Sequence, residues 1–416
     1  MDSNFPLHDI VIAFELLRGS HTAATIATGV LQVLKDWNIE QYIHGITTNN
    51  SSVNDKMFSD IQKLNPVIER THTQIRCMAH IINLAAQAIV TNLKAEATEH
   101  EAVMADELQL VSQPTISSGP SEVLRNCHRI FSNIRGSNLL CDAFVSLCQT
   151  TMMKISHPIL DMRIRLNSSF KMIDRMLYLR PAITKLVASE KKLQAVQLSS
   201  ADWALLERLK RILSVFVRAA TRLSGSKYPT LQMQLPYYAA LHKRLAILHH
   251  EEELAIDHPS IATACFESWN ILNNYWTYTD AFTSQTIAMI LDPRYKIHGF
   301  TQMQWEPHWI TTAKRQFEAV FKAQYAISVD PTLENAGTNS LALPTSPVSF
   351  DEDDDIAFTF GVPVARIAEV VTENKQYLCE ATEPHDGNVL HWWRLHAHRY
   401  PQLAKMAKDY LSIPAN

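Results

Sequence analysis

Residues 7–17, LHDIVIAFELL, form an almost unbroken apolar run with β-branched members, the pattern of a buried strand. Directly after it, GSHTAATIATGVLQVLKDWNI places Ile26, Val30, Val33, Leu34 and Trp37 at helical spacing, with Ser20 or Thr22 available to cap the first turn. A second short strand, QYIHGITT, ends at Asn49. VNDKMFSDIQKLNPVI reads as another helix, and TQIRCMAHIINLAAQAIV as a short strand passing into a helix at about Cys77. Three alternations of strand and helix predict an α/β layer over residues 1–94.

Beyond that point the period changes. From Leu124 to about Lys322 nearly every periodic segment is helical; in ADWALLERLKRILSVFVRAATRL, Leu205, Leu209, Ile212, Leu213, Phe216, Val217 and Ala220 share one face. This predicts an all-helical region over 123–324. Two polar stretches interrupt the chain, residues 95–122 with SQPTISSGPS and residues 325–362 with TNSLALPTSPVSFDEDDD. Mobile loops are expected there, because so little apolar burial is on offer to offset the entropy of ordering. A last helical region covers 363–416, where Pro401 suits the first turn of a helix whose Leu403, Met406, Ala407, Tyr410 and Leu411 recur at three and four.

At 416 residues and 46% hydrophobic, the chain has apolar surface enough for a sizeable core, which excludes disorder throughout. It contains no run of about 18 uncharged apolar residues, and its first twenty residues lack a basic start and a small-residue cleavage site, so neither membrane insertion nor secretion is expected. Six scattered cysteines without a Cys-x-x-Cys pair predict a reducing compartment and mostly core thiols. The formal net charge of -4 conceals an uneven distribution: residues 95–122 carry six acids and 325–362 carry seven, with no Lys or Arg in either. The remainder holds 29 acids against 38 bases. A basic body of that kind attracts nucleic acid, and ordinary solvated charge explains it equally well. With Gly counting only 10 and no G-x-x-x-x-G-K pattern, nucleotide-binding enzyme classes are set aside, and no cofactor or small-molecule substrate is expected.

Several blocks in order, LLRGSHTAATIA, ITTNNSSVND, IRCMAHIINLAAQ, LDMRIRLNSSFKMIDRML, GSKYPTLQMQLPYY, MILDPRYK and VLHWWRLHAHRYPQLAKMAKDYLSIPA, resemble transposases of the hAT superfamily (hobo, Activator, Tam3) over nearly the whole chain. The resemblance implies an α/β plus all-α fold: a ribonuclease-H-like core, N-terminally truncated here, interrupted by a large helical insertion, with C-terminal dimerisation helices. It also implies DNA cutting and joining by three carboxylates that hold two divalent metals, since hard Mg²⁺ wants anionic oxygens and two ions clamp the attacking and leaving oxygens.

Against that pattern, the first carboxylate is expected on a strand before LHDIVIAFELL, and the chain begins at Met1 without it. The second falls at Asn49, a neutral amide whose nitrogen is a donor. The third is expected beyond SIPA, past Asn416. Asp55, six residues on from Asn49 and on the next helix, is not expected to substitute, and Asp2 and Asp9 read as surface residues. The expectation is therefore a catalytically degenerate copy with the ancestral Mg²⁺ site lost. Relatives carry a Trp after the second Arg of the RIRLNSS block, a ring able to stack on an extruded base; here Leu166 stands in its place. Arg163 and Arg165, with Lys171, Arg175 and Arg180, either bind phosphate oxygens or form the solvated face of an amphipathic helix.

Cys77 and His80 make a Cys-x-x-His at a strand-to-helix junction, but a structural zinc site needs four ligands and no second pair is evident. Core packing for Cys77 and a loop hydrogen bond for His80 are expected, while the resemblance implies a part in end binding or core integrity. His385, His391, His396 and His398 read as surface histidines, His391 and His396 being five apart and so on different helix faces. Trp392, Trp393, Tyr400, Leu403, Met406, Tyr410 and Leu411 are the candidate dimerisation residues, with one Trp of the pair turned into the core and the other sideways or outward; the alternative is that both helix faces are taken up by the chain's own core. Two functions are carried forward: a nuclear, inactive transposase-like protein that retains binding to the backbone of double-stranded DNA and forms a homodimer, or a nuclear protein-interaction module without DNA affinity.

Overall fold

The computed structural model describes residues 7–16, 20, 22–107, 119–160, 166–251, 256, 258–276, 283–326 and 372–416. The chain is mostly helical and divides into two compact units, the larger comprising Pro6–Asp292 with Asp409–Asn416, the smaller Pro293–Lys408 with the first five residues.

The larger unit opens with α1, Ala23–Asp36, which begins where Thr22 Oγ1 accepts the Thr25 N–H at 3.3 Å. Strand β1, Ile46–Thr48, leads into α2, Ser52–Leu64, capped by Ser51. A short turn of helix α3, Arg70–Thr73, delivers β2, Gln74–Arg76, which pairs parallel to β1 with Thr47 opposite Ile75. Both strands and the intervening helix lie where the pattern places them. α1 and α2 share a small core of Ala27, Leu31, Leu34, Met57, Phe58 and Ile61.

The expected first strand does not form. Residues 7–16 have no regular structure, and Ile10, Val11, Phe14 and Leu16 are exposed. Their only described tie is a 2.9 Å hydrogen bond from Trp37 Nε1 to the Ile12 carbonyl. An apolar β-branched run becomes a strand only where a neighbour completes its ladder, and among the described residues none does. Among the described residues the sheet therefore has two strands rather than three.

After β2 the chain enters α4, Met78–Glu107, which carries helix through residues 95–107, where a loop was expected; 108–118 lie outside the described residues. There follow α5 (Pro120–Gly136), α6 (Asn138–Thr150), α7 (Leu166–Tyr178), α8 (Arg180–Ser189), α9 (Lys191–Gln194), α10 (Ser200–Leu223), α11 (Gln234–His250), α12 (Pro259–Trp276) and α13 (Thr283–Ile290). α12 packs on α4 and α11, and α10 on α4 and α7, around one large apolar core. On α10 the predicted face is buried at Leu205, Leu209, Ile212, Leu213 and Phe216, and a Ser199–Asp202 capping box fixes its start. Cys127, Cys148 and Cys265 are core thiols as expected, burial pushing Cys265 up to about 12, whereas Cys379 is exposed on a helix end.

The last residues of the chain are built into this unit. The Ala415 carbonyl accepts Met78 N–H and Gln234 Nε2, each at 3.0 Å, and Ala415 N–H donates to Thr230 Oγ1 at 2.9 Å. Ile413 packs against Gly45 so closely that a Cβ there would stand 2.8 Å from its Cγ2.

The smaller unit contains α14 (His298–Gln302), α15 (Pro307–Val320), α16 (Glu373–Cys379), α17 (Val389–His396) and α18, Pro401–Leu411, up to Lys408. The expected disordered linker at 325–362 falls, but for Tyr325 and Ala326, outside the described residues. Tyr377 is the hub: its ring lies 5.4 Å from that of Trp393 and 6.0 Å from that of Tyr400. The buried Lys296 Nζ lies 4.3 Å from the same ring and donates to the carbonyls of Tyr377 at 2.8 Å and Glu380 at 3.2 Å, closing the end of α16.

Candidate functional site

Parallel strands and the helices that follow them gather loops at the strands' carboxyl ends, the usual place for a ligand. Here that edge holds Asn49, Asn50, Cys77 and His80. Cys77 N–H donates to the Thr48 carbonyl at 2.8 Å, carrying the β1–β2 pairing one residue further, and Asn50 Nδ2 donates to the Cys77 carbonyl at 3.3 Å. The Asn50 Oδ1 is buried and finds no donor among the described residues.

Asn49 is exposed, and both its side-chain and its backbone oxygen accept from Asn54 Nδ2, the latter at 3.0 Å. Its amide oxygen is thus turned to α2. Asp55, the next acid along the chain, is held elsewhere: Oδ1 accepts Gln74 Nε2 at 2.7 Å and Arg76 Nη2 at 3.0 Å, with Arg70 Nη2 3.7 Å away. Its carboxylate neutralises two guanidinium groups and ties α2 to β2 and α3. These partners are nonlocal in sequence, and nothing in the local pattern announced them.

Cys77 stands at the junction between β2 and α4. Its Sγ accepts the His80 N–H at 3.3 Å, supplying an acceptor to the first turn of α4. Burial pushes the thiol pKa up, against a lowering influence of the His80 and Ala79 N–H groups. Among the described residues no three of His, Cys, Asp and Glu gather as a metal site would require.

Of the basic residues, Arg163 and Arg165 lie outside the described residues, and Leu166 begins α7 without a described side chain. Lys171 and Arg175 stand one turn apart on α7, Lys171 exposed and Arg175 donating through Nη1 to the His157 carbonyl at 2.8 Å. Arg180 pairs with Glu207 at 3.5 Å and lies 5.1 Å over the Trp203 ring.

The C-terminal candidates divide unequally. Trp393, Tyr400, Leu403, Met406, Tyr410 and Leu411 are buried within the chain. Trp392 remains half-buried, donates through Nε1 to Glu383 at 2.9 Å and stacks on His396 at 3.9 Å. One Trp in and one sideways is the disposition the adjacent pair predicts. Leu395 beside it is exposed, a surface position that the sequence pattern did not single out.

Comparison with known families and proteins places this geometry. Residues 1–77 match the ZBED1 RNase-like domain, 75–212 the ZBED1 RNase-like helical domain, and 373–416 the hAT family C-terminal dimerisation region. The chain is 25% identical over its whole length to a putative transcriptional regulator, tpeD, of Talaromyces stipitatus, covering 46% of that protein. It is 23% identical over 99% of its length to a putative AC transposase of Zea mays, covering 49% of it, and 22% identical throughout to the zinc finger BED domain-containing protein RICESLEEPER 3 of Oryza sativa, covering 52%. The chain thus spans about half the length of these curated relatives. With RNase-like, helical and dimerisation regions in this order and relatives of the transposase and BED type along the whole chain, it is a hAT transposase-like protein.

Proposed function

We propose that this chain is a nuclear DNA-binding protein that self-associates through residues 373–416 and does not cleave DNA. The observation that carries the inactive reading is Asn49: where the resemblance calls for a carboxylate, a neutral amide holds Asn54, while Asp55 is bound to Arg76 and Gln74. A two-metal phosphodiester cleavage needs anionic oxygens at that strand end, and the side chains there are amides, a thiol and an imidazole. No Mg²⁺ is therefore assigned to it, and no step is derived through one.

Backbone binding is supported by Lys171 and Arg175 on one face of α7 and by relatives named as transposases. Self-association is supported by the match to the dimerisation region and by the half-buried Trp392 beside exposed Leu395. Nuclear location follows from relatives named as transposases and a transcriptional regulator; among the described residues no helix is long and apolar enough to cross a membrane.

A salt-titrated binding assay on duplex DNA tests the reading. Affinity falling with a log–log slope of about -2 to -4 supports phosphate contacts by a few basic residues. No binding at low salt transfers the function to the protein-interaction alternative.

A further inference from the structure

Away from the strand ends, Lys154, Arg175, Lys210 and Arg211 converge on an open cleft of about 820 Å³ between α7, α10 and the segment that precedes α7. Two acids share it, and both are already engaged: Asp174 Oδ1 lies 2.6 Å from Lys210 Nζ, and Glu207 faces Arg180 at 3.5 Å. Among the described residues no carboxylate pairs with Lys154 or Arg211, both of which are exposed. Arg175 is fixed by its bond to the His157 carbonyl, which holds the 154–157 segment against α7, and among the described residues no carboxylate claims its remaining N–H donors. Positive charge is therefore left over in a preformed concavity.

At the same cleft stands Tyr178, the last residue of α7, 46% exposed. Cations beside an open aromatic ring are the makings of a site that follows a single strand: the cations take phosphodiesters and the ring takes an unpaired base, which a duplex keeps within its own stack. We propose that this cleft binds a single-stranded nucleic-acid segment, with phosphates at Lys154, Arg175 and Arg211 and a base on Tyr178. The inference rests on the DNA-binding reading above and adds to it an unpaired strand as ligand. It also supplies, at the far end of α7 from Leu166, an aromatic surface that Leu166 does not offer.

The test uses the full chain and fluorescence anisotropy across a salt series, with three probes: an oligothymidine of roughly 20 nucleotides, a duplex of equal length, and inorganic polyphosphate. Lys154→Gln with Arg211→Gln is expected to weaken oligothymidine binding about tenfold and to flatten its salt slope by about 1 to 2. Tyr178→Leu is expected to weaken oligothymidine about 5- to 30-fold and leave polyphosphate within about twofold, with Tyr178→Phe close to the parent. All these positions are exposed, and unchanged melting temperatures will show that the fold is intact. If the parent binds duplex yet the variants bind oligothymidine as the parent does, or Tyr178→Leu weakens polyphosphate equally, the cleft assignment is overturned and the DNA-binding reading stands. If the parent binds no nucleic acid, both are overturned.

Discussion

Nη2 of Arg76, on β2, donates a 3.0 Å hydrogen bond to Oδ1 of Asp55, on α2. This pair settles what the acid nearest in sequence to Asn49 does: it fastens helix to strand. Asp55→Asn should lower stability by about 1 kcal/mol, less than a buried charge-assisted bond because the side chain is about one-third exposed. Urea unfolding measures it. A loss within error would mean that the pair is screened and adds nothing.

Gln234 is buried and donates to the Ala415 carbonyl at 3.0 Å and the Arg76 carbonyl at 3.4 Å, joining α11, β2 and the chain end. Gln234→Leu leaves the Arg76 carbonyl without this donor and should cost about 1–3 kcal/mol. Hydrogen exchange should show faster amide exchange at Met78 and Ala415 before any other part of the larger unit is affected.

His242 stacks between Tyr238 and Trp269, at 6.1 and 5.0 Å, and burial lowers its pKa from the ordinary 6.5. The unfolded chain then takes up the proton more readily than the folded one, so stability is full above pH 6.5 and falls as the pH drops through that value to the folded one. Thermal melts between pH 7.5 and 5 should show a decline that His242→Phe reduces.

Lys296 closes α16 with its ammonium group, although burial lowers its pKa. Lys296→Met keeps the stem and removes the ammonium, leaving the Tyr377 and Glu380 carbonyls without this donor. The expected outcome is a loss of about 1–3 kcal/mol, seen as faster exchange in α16 and a weaker near-ultraviolet signal from the Tyr377–Trp393–Tyr400 cluster.

What the sequence disclosed was local. The strand ending at Asn49, the helix after it, the Cys77 junction and the α10 face all follow from period and capping, which depend on neighbours in the chain. Three things depended on distant partners and were hidden. The apolar run at 7–17 signalled a strand, but its pairing partner is not a property of the run. The C-terminal aromatic residues had the spacing of an apolar face, and spacing does not say whether the chain itself or a second copy covers that face. Tyr178, Lys154 and Arg211 sit on separate elements, so the cleft they form appears only once α7 and α10 are packed.

The proposed function rests on an amide at position 49 that would leave the chain able to hold DNA without cutting it. Its most direct test is strand cleavage by the purified full chain on duplex and hairpin DNA with Mg²⁺ or Mn²⁺. No nicking above a metal-only control is expected while binding is retained. Metal-dependent nicking that is abolished by Asn49→Ala would contradict it.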